Sequence, residues 1–219
     1  RHMDIARNRA VKIVSIALIA TVVLQIVYMA FLGGPKPSEA GAVLTNAEVI
    51  RYFDERGGEI TAVWLVEALA FMTIALGGFI ALARGAAVPL AWAALGLFGV
   101  FNLVQIGMGL AMFEPAARAG GDDSGLFFLF VSGAFFFFYL AKAFLGLAAV
   151  NFGVRLVAAR STGLKVLGGL TAVAGLAALG FNVAAMALGN PVLFLAGASG
   201  TLAALFTAIT AGFALREAY

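Results

Sequence analysis

Two charged residues stand inside long apolar runs, and they carry most of the chemistry open to this sequence. Glu67 lies in Trp-Leu-Val-Glu-Ala-Leu-Ala-Phe and Lys142 in Tyr-Leu-Ala-Lys-Ala-Phe-Leu-Gly. A charge left alone in hydrocarbon costs a few kcal/mol or more, so each must face the interior of a bundle and find a partner. Mutual neutralisation is one solution, and a protonated Glu67 bonded to an amide is the other. Arg84 and Arg160 follow the two charges by 17 and 18 residues, which gives them matching places in two hairpins. Counted from those arginines, Glu67 falls in the outer half of its span and Lys142 slightly inside the centre. The offset along the normal is roughly 10 Å at 1.5 Å per residue. The length of the lysine side chain, or a water, is expected to close that gap.

Neutral amides gather near the depth of Glu67. Gln25, Asn102, Gln105 and Asn182 all fall in the outer half of their runs. Asn102 and Gln105 are three residues apart and therefore share a helix face. One reading is an interhelical hydrogen-bond network, each bond worth about 1 kcal/mol or less. The other is a cavity open to the outside, with Glu67 as a proton or cation site and the amides as substrate contacts. Glu67, Lys142, Gln25, Asn102, Gln105 and Asn182 are accordingly the candidate ligand- or ion-binding residues.

The missing residue types close off other chemistry. The chain has no Cys, which removes disulfides, thiolate nucleophiles, Fe–S clusters and thiolate zinc sites. Its one His is His2, in a leader Arg1-His2-Met3 that reads as an expression tag remnant before a start at Met3. Without another His there is no imidazole for haem, for an intramembrane zinc site or for a Ser-His pair. No catalytic residue, metal site or cofactor is expected, although a bound lipid or isoprenoid would suit the composition. The chain does not read as an enzyme.

The elements that must position these residues are six apolar runs, at about 11–32, 60–83, 87–112, 125–152, 164–188 and 191–214. About 20 residues of helix cross a hydrocarbon core of about 30 Å. In lipid the backbone must bond internally, so the runs are helices. Of the 219 residues 63% are hydrophobic and 11% charged, against about 25% charged in a soluble domain. The sequence therefore predicts an all-α, polytopic six-helix bundle in one domain. The net charge of +3 sits at helix ends and is no sign of nucleic-acid binding.

Charge placement sets the expected topology. Arg7, Arg9, Lys12, Arg84, Arg155, Arg160, Lys165 and Arg216 fall on one side if the helices alternate, with Asp4 as the N-terminal flank's only acid. The other side carries Lys36, Arg51, Arg56 and Arg118 among eight acids, including Glu48, Asp54 and Glu114. The lysine and arginine bias predicts a multi-pass protein of the inner (plasma) membrane with both termini cytoplasmic. The first run is too long for a cleaved signal core and lacks an evident cleavage site, so it reads as an uncleaved span. In the long loop at 33–59, Thr45 and Glu48 fit a capping box, which opens a short amphipathic helix over 46–56. Gly57-Gly58 is expected to end that helix.

Small residues mark the expected helix contacts. Gly168, Thr171, Gly175, Ala178, Asn182, Ala185 and Gly189 form one face of the fifth span. Ala196, Gly200, Ala203, Thr207 and Thr210 do so in the sixth, and Gly96, Gly99, Asn102, Gln105 and Gly109 in the third. These stripes predict spans three, five and six at the centre. The fourth span is ringed by phenylalanines, among them Phe127, Phe128, Phe135 and Phe138, which suit lipid, wide helix gaps or an isoprenoid-like ligand. A short internal likeness, Gly96 to Val104 against Gly175 to Val183, suggests comparable hairpins related by an axis along the membrane normal.

The segment from Gly146 to Gly175 resembles an uncharacterised bacterial family of six-helix membrane proteins, known as a domain of unknown function. Ser161, Gly163, Lys165, Leu167, Gly168, Ala174 and Gly175 follow that family's rhythm, with Leu164 in place of its usual Pro and Lys165 of its usual Arg. Glu67, early in the second span, is similar too. The resemblance implies six helices and no activity. Two functions fit the residues: binding or translocation of a small hydrophobic or amphipathic molecule in an outward-facing cavity near Glu67, or an accessory or sensor subunit whose polar residues serve packing. Expected partners are membrane lipids, such a ligand, and a second copy or another membrane protein.

Overall fold

The computed structural model describes residues 2–216, with side chains described for 9–189 and 191–213. The side chains of His2, Asp4, Arg7 and Arg216 lie outside the described residues, so their part in the topology count is not placed. Helices α1 (His2–Val27), α2 (Asn46–Ala83), α3 (Pro89–Met108), α4 (Glu114–Ala119), α5 (Gly125–Val157), α6 (Thr162–Leu188) and α7 (Leu193–Arg216) build the chain. Five-residue π-helical turns extend α1 over Tyr28–Leu32 and join α3 to α4 over Gly109–Phe113. Six stretches are long and apolar enough to cross a membrane: Arg9–Leu32, Asn46–Ala83, Pro89–Ala119, Gly125–Val157, Thr162–Leu188 and Leu193–Phe213. The protein is a multi-pass helical membrane protein.

Helix packing gives the bundle its plan. α1 packs on α2, α2 on α3, α3 on α5, α5 on α7, and α7 back on α1. Five spans thus form a closed ring, and α6 lies outside it against α5 and α7. Spans three and six are in the ring as their stripes predict, but span five is peripheral. Its small residues serve a close pairing with α5 instead: a methyl on Gly146 would stand 2.6 Å from the Gly175 carbonyl oxygen, and one on Gly153 2.6 Å from that of Gly168. A small-residue stripe reports how near a neighbour comes, and says nothing of whether that neighbour is central. Gly78 and Gly96 bring α2 and α3 together in the same way. The two hairpins meet through their inner helices, α3 packing on α5.

The long connection lies at what we call the distal end, and six alternating passes put both termini at the other. Here the structure departs from the expected loop helix. The capping box forms: the Thr45 hydroxyl accepts from the Glu48 amide at 3.3 Å, and the Thr45 amide donates to the Glu48 carboxylate at 2.9 Å. The amphipathic segment does not stop at Gly57-Gly58, however; it runs on as the first turns of α2, a helix of 38 residues, about 57 Å long at 1.5 Å per residue. Two helical glycines cost about 1 kcal/mol each. Burial of Val49, Phe53 and Ile60 with Ala117 and Phe127 on one continuous face offsets that cost. Thr45→Ala is expected to lower stability by about 1 kcal/mol and to speed amide exchange at residues 46–49 before any effect deeper in α2.

Candidate functional site

The centre of the ring holds a three-residue polar chain. Gln25 on α1 donates through Nε2 to Glu67 Oε1 on α2 at 3.2 Å, and its Oε1 accepts from Lys142 Nζ on α5 at 3.3 Å. Among the described residues no direct ion pair joins Glu67 to Lys142. A primary amide stands between the two charges, with its donor end on the carboxylate and its acceptor end on the ammonium. Glu67 is 7% exposed and Lys142 1%.

The surroundings are shaped for the lysine. Nζ lies 5.5 Å from the centre of the Phe98 ring and 5.3 Å from that of Phe138, so two π faces supplement its single hydrogen bond. Gly200 on α7 provides the slot for its stem: a methyl there would stand 2.9 Å from Lys142 Cδ. Phe98 itself is fixed edge-on by Phe71, one turn beyond Glu67 on α2. The sequence offered Gly200 only as a packing glycine; its role as the lysine slot needs the α5–α7 register.

The other candidates are placed elsewhere. Asn102 and Asn182 each donate to the carbonyl four residues back, at 2.8 Å to Phe98 and 2.8 Å to Ala178. Asn182 also reaches the Ala196 carbonyl at 3.1 Å, tying α6 to α7 outside the ring. Both keep a buried side-chain oxygen without a partner. Asn182 is therefore part of a contact between α6 and α7 and makes no hydrogen bond to Gln25, Glu67 or Lys142. Gln105 lies apart from the chain and lines a cavity.

That cavity, of about 430 Å³, opens at the distal end. Tyr28 and Met29 line it from the π turn after α1, Tyr52 and Phe53 from α2, Gln105 and Phe113 from the third span, and Phe127, Phe128 and Phe135 from α5. Its volume falls within the range of about 300–1,000 Å³ usual for small-molecule sites. Both π-helical turns border it, as such turns often border functional sites. At Gly109 a side chain would stand 2.8 Å from the Trp64 ring, which stacks on Tyr28 with centroids 5.9 Å apart and meets Phe113 edge-on. Tyr28 and Tyr52 bring their hydroxyls within 3.4 Å, and Tyr52 donates to the Gly33 carbonyl at 2.8 Å. The phenylalanines of α5 thus divide among this cavity, the lysine and the outer surface, where Phe136 is exposed.

Tyr28 and Gln105 line the cavity, and Gln25 is three residues before Tyr28 along the first span, about 4.5 Å at 1.5 Å per residue. The apolar, aromatic chamber carries one amide, Gln105, in its lining, and the acid–amide–base chain comes nearest to it through Gln25. Among the described residues no group of three or more potential metal ligands occurs. No protein-family model, curated protein or solved structure matches this chain.

Proposed function

We propose that this protein binds, or carries across part of the bilayer, a small hydrophobic or amphipathic molecule in the distal cavity. In this reading the Lys/Arg-rich proximal end is cytoplasmic, the membrane is a bacterial inner membrane, and the cavity faces outward. The observation that carries it is the pairing of an aromatic chamber, built by four spans and two π turns, with a buried acid–amide–base chain whose Gln25 lies three residues along the first span from the cavity-lining Tyr28. Aromatic walls offer an apolar ligand area without demanding a fixed orientation, while Gln105 offers one hydrogen bond. The resemblance to the uncharacterised six-helix family fits the architecture and adds no activity.

The accessory-subunit reading draws on one observation, that every member of the Gln25–Glu67–Lys142 chain already has a partner within the protein. Native mass spectrometry of protein gently extracted from its host membrane separates the two. The cavity reading expects a stoichiometric apolar or amphipathic molecule, its retention lowered at least fivefold in Phe128→Ala/Phe135→Ala. Glu67→Gln is expected to leave that binding in place and to change its pH dependence or its rate of exchange. A bare protein mass from several extraction conditions, with no molecule displaced by the double variant, would sink the cavity reading.

A further inference from the structure

The ring of spans closes below the aromatic cavity but not beside it. α7 is the helix that stands between α5 and α1, yet among the described residues neither α7 nor α6 contributes to the cavity lining. The cause is where α7 begins. Val192 and Leu193 pack with Phe135, Phe138 and Tyr139, so α7 starts at that level of α5. From there α5 extends distally to Gly125, about 15 Å further at 1.5 Å per residue. The end of the first span lies beside that extension, since Tyr28 and Leu32 pack in the same apolar cluster as Phe127 and Val131. Between these two jambs, above the start of α7, the wall has a window.

Hydrocarbon lies outside it. No charged residue occurs on the first span between Lys12 and Lys36, or on α5 before Lys142. Met29 is 78% exposed and Phe128 41%, and both also line the cavity, so they stand at the threshold. The aqueous side is covered instead. Gly33, Gly34, Pro35 and Leu44 of the connecting segment are in the lining, and that segment is tied down by three bonds. Tyr52 donates to the Gly33 carbonyl, Arg51 to the Ser38 hydroxyl, and the Ser124 hydroxyl to the Leu44 carbonyl.

The lining also bears on charge. It contains no Asp, Glu, Lys or Arg, so an ionised group brought inside would meet no counter-charge. At the neighbouring rim Lys36 and Arg51 are offset by Glu48 and Glu55, and Arg56 is paired with Glu59. Gln105 is different. The Tyr28 and Tyr52 hydroxyls are engaged with each other and with Gly33, whereas the Gln105 amide makes no hydrogen bond within the protein among the described residues.

Resting on the cavity reading above, we infer that the ligand is an uncharged molecule dissolved in the bilayer. It enters sideways through the window between the π turn after α1 and the first turns of α5, and its one neutral polar group bonds to Gln105.

The test uses the full chain in phosphatidylcholine vesicles and reads tryptophan fluorescence. Trp64 stacks on the cavity-lining Tyr28, whereas Trp92 is buried at the proximal end against Phe152 and the Ala87 carbonyl. Bromine quenches an indole only at near contact. The probes are a brominated long-chain alcohol, the alkyl sulfate of the same chain and the matching brominated alkane, at equal mole fractions in the bilayer. The alcohol is expected to quench saturably, at a mole fraction at least fivefold lower than the sulfate needs, and Trp64→Phe to remove that saturable part. Gln105→Leu is expected to weaken the alcohol to the level of the alkane, while the alkane quenches as in the parent and so reports an intact cavity. Met29→Ala/Phe128→Ala widens the window and is expected to speed the onset of quenching after rapid mixing at least fivefold. Ser38→Ala/Arg51→Gln loosens the covering segment and is expected to leave the onset unchanged. A sulfate that quenches as well as the alcohol would overturn the uncharged ligand and leave the cavity standing. An onset unmoved by the window variant, or sped by the loosened segment, would overturn the sideways route. Unchanged alcohol quenching in Gln105→Leu would overturn the placement of the polar group. No saturable quenching by any probe would remove the cavity reading along with the inference.

Discussion

Gln25→Leu is expected to lower the thermal midpoint in detergent by roughly 6–12 °C, a loss of about 3 kcal/mol converted at 2–4 °C per kcal/mol for a chain of this size. The substitution is close in volume, so little of the effect comes from packing. It takes the only hydrogen-bond partner from Lys142 and a bonded N–H from Glu67, and leaves both charges buried. Breaking a buried ionic arrangement by removing one member costs about 3–5 kcal/mol, because the remaining charge stays desolvated and unmatched. Replacing the whole chain behaves differently. Gln25→Leu/Glu67→Leu/Lys142→Met should recover most of the loss, since apolar residues of similar volume remove the desolvation cost together with the attraction. A single variant that melts like the parent would mean that the amide is not what holds the two charges.

Gly175→Leu is expected to abolish recovery of monodisperse protein, whereas Gly180→Leu on the same helix should leave yield and melting unchanged. At Gly175 an added methyl would stand 2.7 Å from both the Gly146 carbonyl oxygen and the Val150 amide nitrogen. Those are backbone atoms of α5, so no rotamer change can clear them; the two helices must separate. Ordinary overpacking costs about 1–3 kcal/mol, and forcing apart a glycine-lined helix pair exceeds that. At Gly180 nothing lies within 4 Å of the added carbon. Equal yields for the two variants would show that α6 does not depend on this approach, and its position outside the ring would have to rest on α7 and Asn182.

Most of the architecture is legible in the sequence, because hydrocarbon leaves the backbone so few options. Six helices long and apolar enough to cross a membrane follow for this reason, and Thr45 with Glu48 marks the start of α2 because a capping box is a local device. What the sequence leaves open is everything set by which helix stands beside which. The Gly57-Gly58 pair reads as a stop, and only the long-range burial of Val49, Phe53 and Ile60 against Ala117 and Phe127 shows why the helix continues. The glycine stripe of α6 is visible, but its partner is not, so a close contact at the edge reads as a central one. Glu67, Lys142 and Gln25 stand out as polar residues in apolar runs, yet the order in which they join depends on the ring closing through α7. The aromatic cavity leaves almost no trace in the sequence, since the Phe of a lipid-facing surface and the Phe of a cavity wall are the same residue.

The amide in the middle of the polar chain has an electrical consequence. A protonated lysine and a carboxylate joined directly can trade a proton, but a primary amide has none to pass on at any ordinary acidity. Gln25 therefore transmits polarisation between its two neighbours while passing no proton itself, as a capacitor couples two points without carrying current. The charge of each end is sensed by the other through the amide without being shared through it.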